Sequence, residues 1–287
     1  MTSATLPSLA TARSAPREKR SLLIPLLFIG VLVFVALAAP LLAPHDPNAQ
    51  PDTIAMKSLA PSPAHLFGTD AYSRDVLSRV IYGSRVSLAV ASLSALVALT
   101  IGVGFGALSA LGNRFVESTM MRVLDVLLAL PRLLILLAVT AFWDGLSLVA
   151  LAVLLGVTGW YDIARLVHGE TRTLLSRDFI VAAAAAGVGE LRIFVRHMLP
   201  HLIPLLAVSA SLGVASSISL EAGLSYLGLG VQGQVSWGTI MNDGLGVVDT
   251  QWWLTIFPGL AALVAVIACN ALGEALRDRF ARRQLDA

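Results

Sequence analysis

The sequence predicts an all-α, polytopic membrane protein with six transmembrane helices. Three observations predict it. Hydrophobic residues fill 56% of the 287 positions and charged residues only 13%; with a mean hydropathy of +0.80, a water-soluble domain is excluded. Uncharged runs of about twenty residues recur, the length an α-helix needs to cross a hydrocarbon core. The arginines gather between those runs, which marks membrane topology rather than nucleic-acid binding despite a net charge of +2 and a pI near 9.0.

Each element has its own justification. Residues 1–21 are rich in Ser, Thr, Ala and Pro, end in Arg13, Arg17, Lys19 and Arg20, and are expected to be a disordered basic tail. Residues 22–43 form a first span, too long for a signal-peptide core and without a small-residue cleavage site. Residues 44–85 form an extended extracytoplasmic loop, because Pro44, Pro47, Pro51, Pro61 and Pro63 forbid a regular helix. Residues 86–275 are the core, with spans at 86–113, 123–142, 146–160, 202–220 and 252–273. A turn at Asp144-Gly145 joins the third and fourth spans, and segment 161–201 joins the fourth and fifth. Residues 276–287 form a second tail.

Six spans put both termini on one side, and arginine placement says which. The N-terminal tail, the 112–122 loop with Arg114 and Arg122, and segment 161–201 with Arg165, Arg172, Arg177, Arg192 and Arg196 are expected to be cytoplasmic. So is the C-terminus with Arg277, Arg279, Arg282 and Arg283. Lys57, Arg74, Arg79 and Arg85 in the first outer loop run against this count; Arg79 and Arg85 adjoin an apolar span and are expected to snorkel to headgroups.

Within segment 161–201 and just beyond it, residues 178–204 read DFIVAAAAAGVGELRIFVRHMLPHLIP. Ala182, Ala183 and their neighbours to Ala186 form helix readily and carry no bulk, so they present a smooth face that can seat in a groove of another protein. Gly187 and Gly189 break that helix. A second helix over 190–198 is expected to place Leu191, Phe194, Val195 and Met198 on one face and Arg192 and Arg196 on another, before Pro200 and Pro204 redirect the chain.

Several residues invite chemistry. Gly102 and Gly106 sit in a fragment of a dinucleotide fingerprint but lie mid-span, where with Ala110 they form a close-packing face between helices. His197 and His201 have the spacing of zinc ligands without a third ligand, so no metal site is assigned. Glu221, at a span end, is read either as a pathway residue or as a structural hydrogen-bonding group. Asp125 is expected to pair with Arg122, and Cys269 to be a small core residue. The only lysines, Lys19 and Lys57, do not follow a glycine, so there is no phosphate-binding loop and no self-powered pump. All five histidines are expected in or beside loops, which argues against an intramembrane serine protease. An ion-coupled secondary transporter is the alternative from another class, although no internal repeat is evident.

Motifs spread over 44–283 resemble those of ABC importer permeases of the dipeptide, oligopeptide and nickel family, C-type subunit. They include Gly68-Thr69-Asp70, Ser73-Arg74-Asp75-Val76-Leu77-Ser78-Arg79 and Tyr82-Gly83-Ser84-Arg85, then Leu130-Pro131, Arg177-Asp178-Phe179 and the run from Glu221 to Gly230. Ser236-Trp237-Gly238 and Phe257-Pro258-Gly259 complete the set. The resemblance implies a type I importer permease fold in a bacterial or archaeal inner membrane, with both termini cytoplasmic. It implies that Val181, Ala182, Ala183, Gly187, Arg192, Arg196, Leu199 and Pro200 belong to the "EAA" coupling loop, and that Gly68, Thr69, Asp70, Arg74 and Asp75 form an outer signature. It also implies a homologous permease, two ATPases that bind ATP and Mg in place of any cofactor here, a solute-binding protein, membrane lipid, and a peptide or nickel cargo. This chain departs from the family pattern twice. Val181 stands where the loop's acidic residue is expected, and Ser73 replaces a glycine.

Overall fold

The computed structural model describes residues 22–52, 54–143 and 145–285, so the expected N-terminal tail lies outside the described residues. Among those residues the regular structure is helical, with one isolated bridge between Thr69 and Asp75.

The first apolar run is split into α1 (Leu23–Leu37) and α2 (Ala39–Leu42), with Pro40 in the first turn of α2. At 15 residues, α1 rises only about 22 Å, short of a hydrocarbon core of about 30 Å. Helix α3 (Val76–Leu111) is 36 residues long and starts well before the uncharged run at 86. Asp75 caps it, accepting the Ser78 backbone N–H at 2.8 Å.

The third and fourth runs are both broken. Leu130 is extended ahead of Pro131, as steric conflict with the proline ring requires, and α4 (Arg114–Ala129) meets α5 (Arg132–Ala141) at 75°. Helix α6 (Leu148–Val157) likewise meets α7 (Tyr161–Leu175) at 46° across Thr158 to Trp160. The fourth span therefore runs on into the segment expected to be a loop.

Next come α8 (Asp178–Ala185), the short α9 (Glu190–Ile193), a π-helical turn over Phe194–Met198, and α10 (Leu199–Tyr226). Helix α11 (Trp237–Asp243) and α12 (Trp253–Leu285) complete the chain, and α12 continues past the expected end at 273. Among the described residues, three stretches are long and apolar enough to cross a membrane, or five if each bent pair is one span. The expected count of six is thus not met: proline and glycine broke two runs, and α1 is short.

Helix α3 is the axis of the bundle. A Cβ on Gly102 would lie 2.7 Å from the Ile163 side chain, and one on Gly106 would lie 2.6 Å from the Ala164 carbonyl. Those glycines let α7 approach α3 closely, as their spacing predicts. Near the Leu111 end, Trp160, Ile163, Val167, Ile180, Phe194 and Met198 form one core. Near the Val76 end, Trp237, Ile240, Trp253 and Leu254 form another with Cys269, confirming its place as a small core residue.

Candidate functional site

Two sites emerge at opposite ends of α3. At the Leu111 end, α8 is anchored by Ile180, which is only 2% exposed. Ala183 is half-buried against the same core, while Val181, Ala182, Ala184 and Ala185 are exposed. The resulting outer face is a low ridge of small side chains. Gly187 ends α8 with φ +81°. Its N–H donates to the Ala184 carbonyl at 2.9 Å, and the Val188 N–H reaches back to the Ala183 carbonyl at 3.1 Å. This is a Schellman closure, and the left-handed residue it requires is the glycine.

Beyond Gly189, the expected apolar face is not continuous. Phe194 and Met198 are buried, whereas Leu191 and Val195 are exposed and Ile193 is buried instead. The face differs from the expected one already in α9, and the π turn over Phe194–Met198 then shifts the register of the residues that follow. Arg192 and Arg196 rim an open concavity of about 940 Å³ with Glu190, Leu191 and Val195. Leu199 packs against the core, and Pro200 and Pro204 lie within helix that runs on from Glu190 to Tyr226, so they do not redirect the chain as expected, and the missing N–H of each leaves a gap in the hydrogen-bond ladder.

Ion pairs tie this end together. Asp125 pairs with Arg165, not with Arg122 as expected, because the bend after α6 brings α7 alongside α4. Arg172 bonds Glu117 at 3.0 Å. His168 lies within α7 rather than beside a loop; its Nδ1 is 2.9 Å from Ser109 Oγ and its Nε2 3.4 Å from Glu117. That array resembles a hydrolase triad only in composition. Ser109 is fully buried and its hydroxyl donates to the Gly106 carbonyl, so no substrate can reach it. His201 presents Nδ1 to the His197 carbonyl at 2.7 Å.

At the Val76 end, the described residues of 44–75 are a folded cap without regular helix. Gly68 has φ +74°, and a Cβ there would sit 2.6 Å from the Leu59 carbonyl, so only glycine fits. Thr69 Oγ1 donates to the Met56 carbonyl at 2.6 Å, and the Thr69 carbonyl accepts Trp253 Nε1–H at 3.0 Å. Asp70 is fully buried; its Oδ2 accepts from Arg74 Nε at 2.6 Å and Arg79 Nη1 at 2.6 Å. Asp243 of α11 accepts from the same two arginines at 3.0 and 2.7 Å. Arg79 is 3% exposed and therefore does not snorkel to lipid. Of the four cations that run against the topology count, Arg74 and Arg79 are neutralised by Asp70 and Asp243. Asp243 was missed in the sequence, although arginines on the face expected to be poor in positive charge call for acidic partners.

Ser73 adopts φ +63°, the left-handed conformation that the replaced glycine would enter freely. Its Oγ donates to the Asp52 carbonyl at 2.6 Å, which holds the strained residue in place. Asp75, besides capping α3, accepts from His65 Nδ1 at 2.9 Å. Glu221 is fully buried, taking hydrogen bonds from Ser87 at 2.9 Å and Ser225 at 2.7 Å. Ser87 also accepts the Trp237 N–H at 3.3 Å. Glu221 thereby links α3, α10 and α11.

Comparison with known proteins extends the match over the chain. Residues 102–286 match the family described as binding-protein-dependent transport system inner membrane component, and residues 17–61 match the N-terminal TM domain of oligopeptide transport permease C. The dipeptide transport system permease protein DppC of Bacillus subtilis is 36% identical over 277 residues, covering 95% of this chain and 86% of that protein. A Brucella suis protein, provisionally named a peptide permease, is 39% identical over 274 residues, covering 94% and 90%. An inward-facing structure of the MetNI methionine ABC transporter superposes with a TM-score of 0.55 at 19% identity, covering 70% of this chain and 97% of that one. That likeness supports the type I importer fold.

Proposed function

The chain belongs to the family of binding-protein-dependent transport system inner membrane components, and from that membership we propose that it is the permease through which an ATP-driven importer passes di- or oligopeptides. As a multi-pass inner-membrane subunit of an ABC importer it is a transport component and not an enzyme. A homologous permease forms the other half of the path, and a solute-binding protein delivers peptide to the end capped by residues 44–75. Two ATPases, holding ATP and Mg, dock against the ridge of α8. Arginine distribution supports placing that ridge and both termini in the cytoplasm.

One observation carries the cargo: near full-length identity to relatives named for peptide or dipeptide transport. The test is reconstitution of this permease with the partner permease, ATPases and binding protein in proteoliposomes. Dipeptide uptake is expected only with ATP and all components. Uptake by this chain alone on a proton or sodium gradient would reject the importer reading, and ATP-dependent nickel uptake without peptide uptake would overturn the cargo.

A further inference from the structure

A cavity of about 370 Å³ opens between α3, α7 and α10, beside the bend that joins α4 and α5. Its volume lies at the small end of ligand pockets and suits a short peptide. Its lining includes Ser94, Ser209, Ser216 and Ser217, one arginine, Arg132, and one carboxylate, Asp162. An arginine beside a cavity in a membrane segment is costly to keep and marks a functional position.

Arg132 is held firmly from behind. Its Nη2 donates to the Leu155 carbonyl at 2.7 Å and its Nε to Thr158 Oγ1 at 3.3 Å. Gly159 makes the space: a Cβ there would fall 2.7 Å from Nη2. A guanidinium has five N–H donors, so the two bonds to the end of α6 leave the others for the cavity. Such a fork matches a carboxylate bidentately. Asp162 is exposed and lines the same space, where it can meet an ammonium. Ser94 and Ser217, 2.9 Å apart across α3 and α10, satisfy each other. Ser209 and Ser216 supply neutral polar surface that suits peptide groups of varied side chain.

We infer that this cavity is a zwitterion subsite on the transport path, in which Arg132 receives the C-terminal carboxylate of a short peptide and Asp162 faces its α-ammonium. The inference rests on the peptide-import reading above and names the residues that contact the cargo after the binding protein releases it.

The test uses the complete reconstituted importer with dialanine and its C-terminal amide as probes. Because one binding protein serves every variant, its own preference cancels when acid-to-amide uptake ratios are compared. Arg132→Gln is expected to lower that ratio at least about tenfold, the factor for one charge-assisted hydrogen bond, while Arg132→Lys keeps part of it. An unchanged ratio in an assembled Arg132→Gln importer overturns the subsite. Should Arg132→Gln fail to assemble, Ser216→Asp leaves the arginine in place and adds a competing carboxylate; a fall in the ratio supports the subsite and an unchanged one overturns it. Absence of peptide uptake by the wild-type importer would instead defeat the import reading, so the two failures are distinguishable.

Discussion

At the scale of single residues, positive φ and close approach decide what can be exchanged. Ser73 combines left-handed strain with a 2.6 Å bond to the Asp52 carbonyl. Replacing it with glycine removes about 1 kcal/mol of strain and about 1 kcal/mol of hydrogen bond, so Ser73→Gly should leave the melting temperature of the detergent-solubilised complex nearly unchanged. Ser73→Ala keeps the strain and loses the bond, and should lower it. The two left-handed glycines should also part company. Gly68→Ala forces a methyl against the Leu59 carbonyl and should cost about 3 kcal/mol or more. Gly187 has open space around its Cβ position, so Gly187→Ala should cost only about 1 kcal/mol. The need for glycine at the Gly187 break was legible from a helix-forming run that stops there. The serine that imitates one was not, since its stabilising partner lies 21 residues away.

At the scale of elements, testable predictions rest on α8 and the cap of residues 44–75. The exposed ridge of α8 predicts a split among its alanines that composition alone does not make. Ala185→Arg should leave the permease folded but weaken co-purification of the ATPases, because the ridge loses its low profile. Ala183→Arg should reduce the yield of folded permease itself, because that position is half-buried against the core. Val181→Glu, on an exposed position, should be tolerated. The existence of the helix and its glycine stop could be read from residues 178–189. Which alanines face outward could not, because the burial of Ile180 and Ala183 depends on α7 folding back along α4. In the cap, Asp243→Asn leaves Arg74 and Arg79 with one carboxylate between them. Breaking a buried pair this way costs about 3 kcal/mol, and partial exposure of Asp243 keeps the loss at the lower end. Thermal unfolding of the complex should show it, with Asp243→Glu retaining part of the stability. This cluster escaped sequence reading because it joins charges 164 residues apart.

At the scale of the whole molecule, the chain is a helical bundle with a ridge of small side chains at one end, which we propose docks the ATPases, and a charged cap at the other. The all-α class and the membrane setting were legible because burial in lipid demands long apolar helices, and little else in the sequence competes with that signal. The number of spans was not, because Pro131 and the Thr158 to Trp160 break bend helices whose hydropathy reads as continuous. Orientation gives an expectation of its own. In a Cys269→Ala background, Asn48→Cys, Gly145→Cys and Gln234→Cys should react with an impermeant thiol reagent on intact cells, and Gly189→Cys should not. The central claim, that the ridge of α8 is where the ATPases act, is tested most directly by cross-linking. Ala185→Cys in the Cys269→Ala permease, assembled with its ATPases and treated with a short thiol-to-amine reagent, should yield a permease–ATPase adduct, and Asn48→Cys should yield none. An adduct from Asn48→Cys instead, or labelling of Ala185→Cys from outside intact cells, would contradict it.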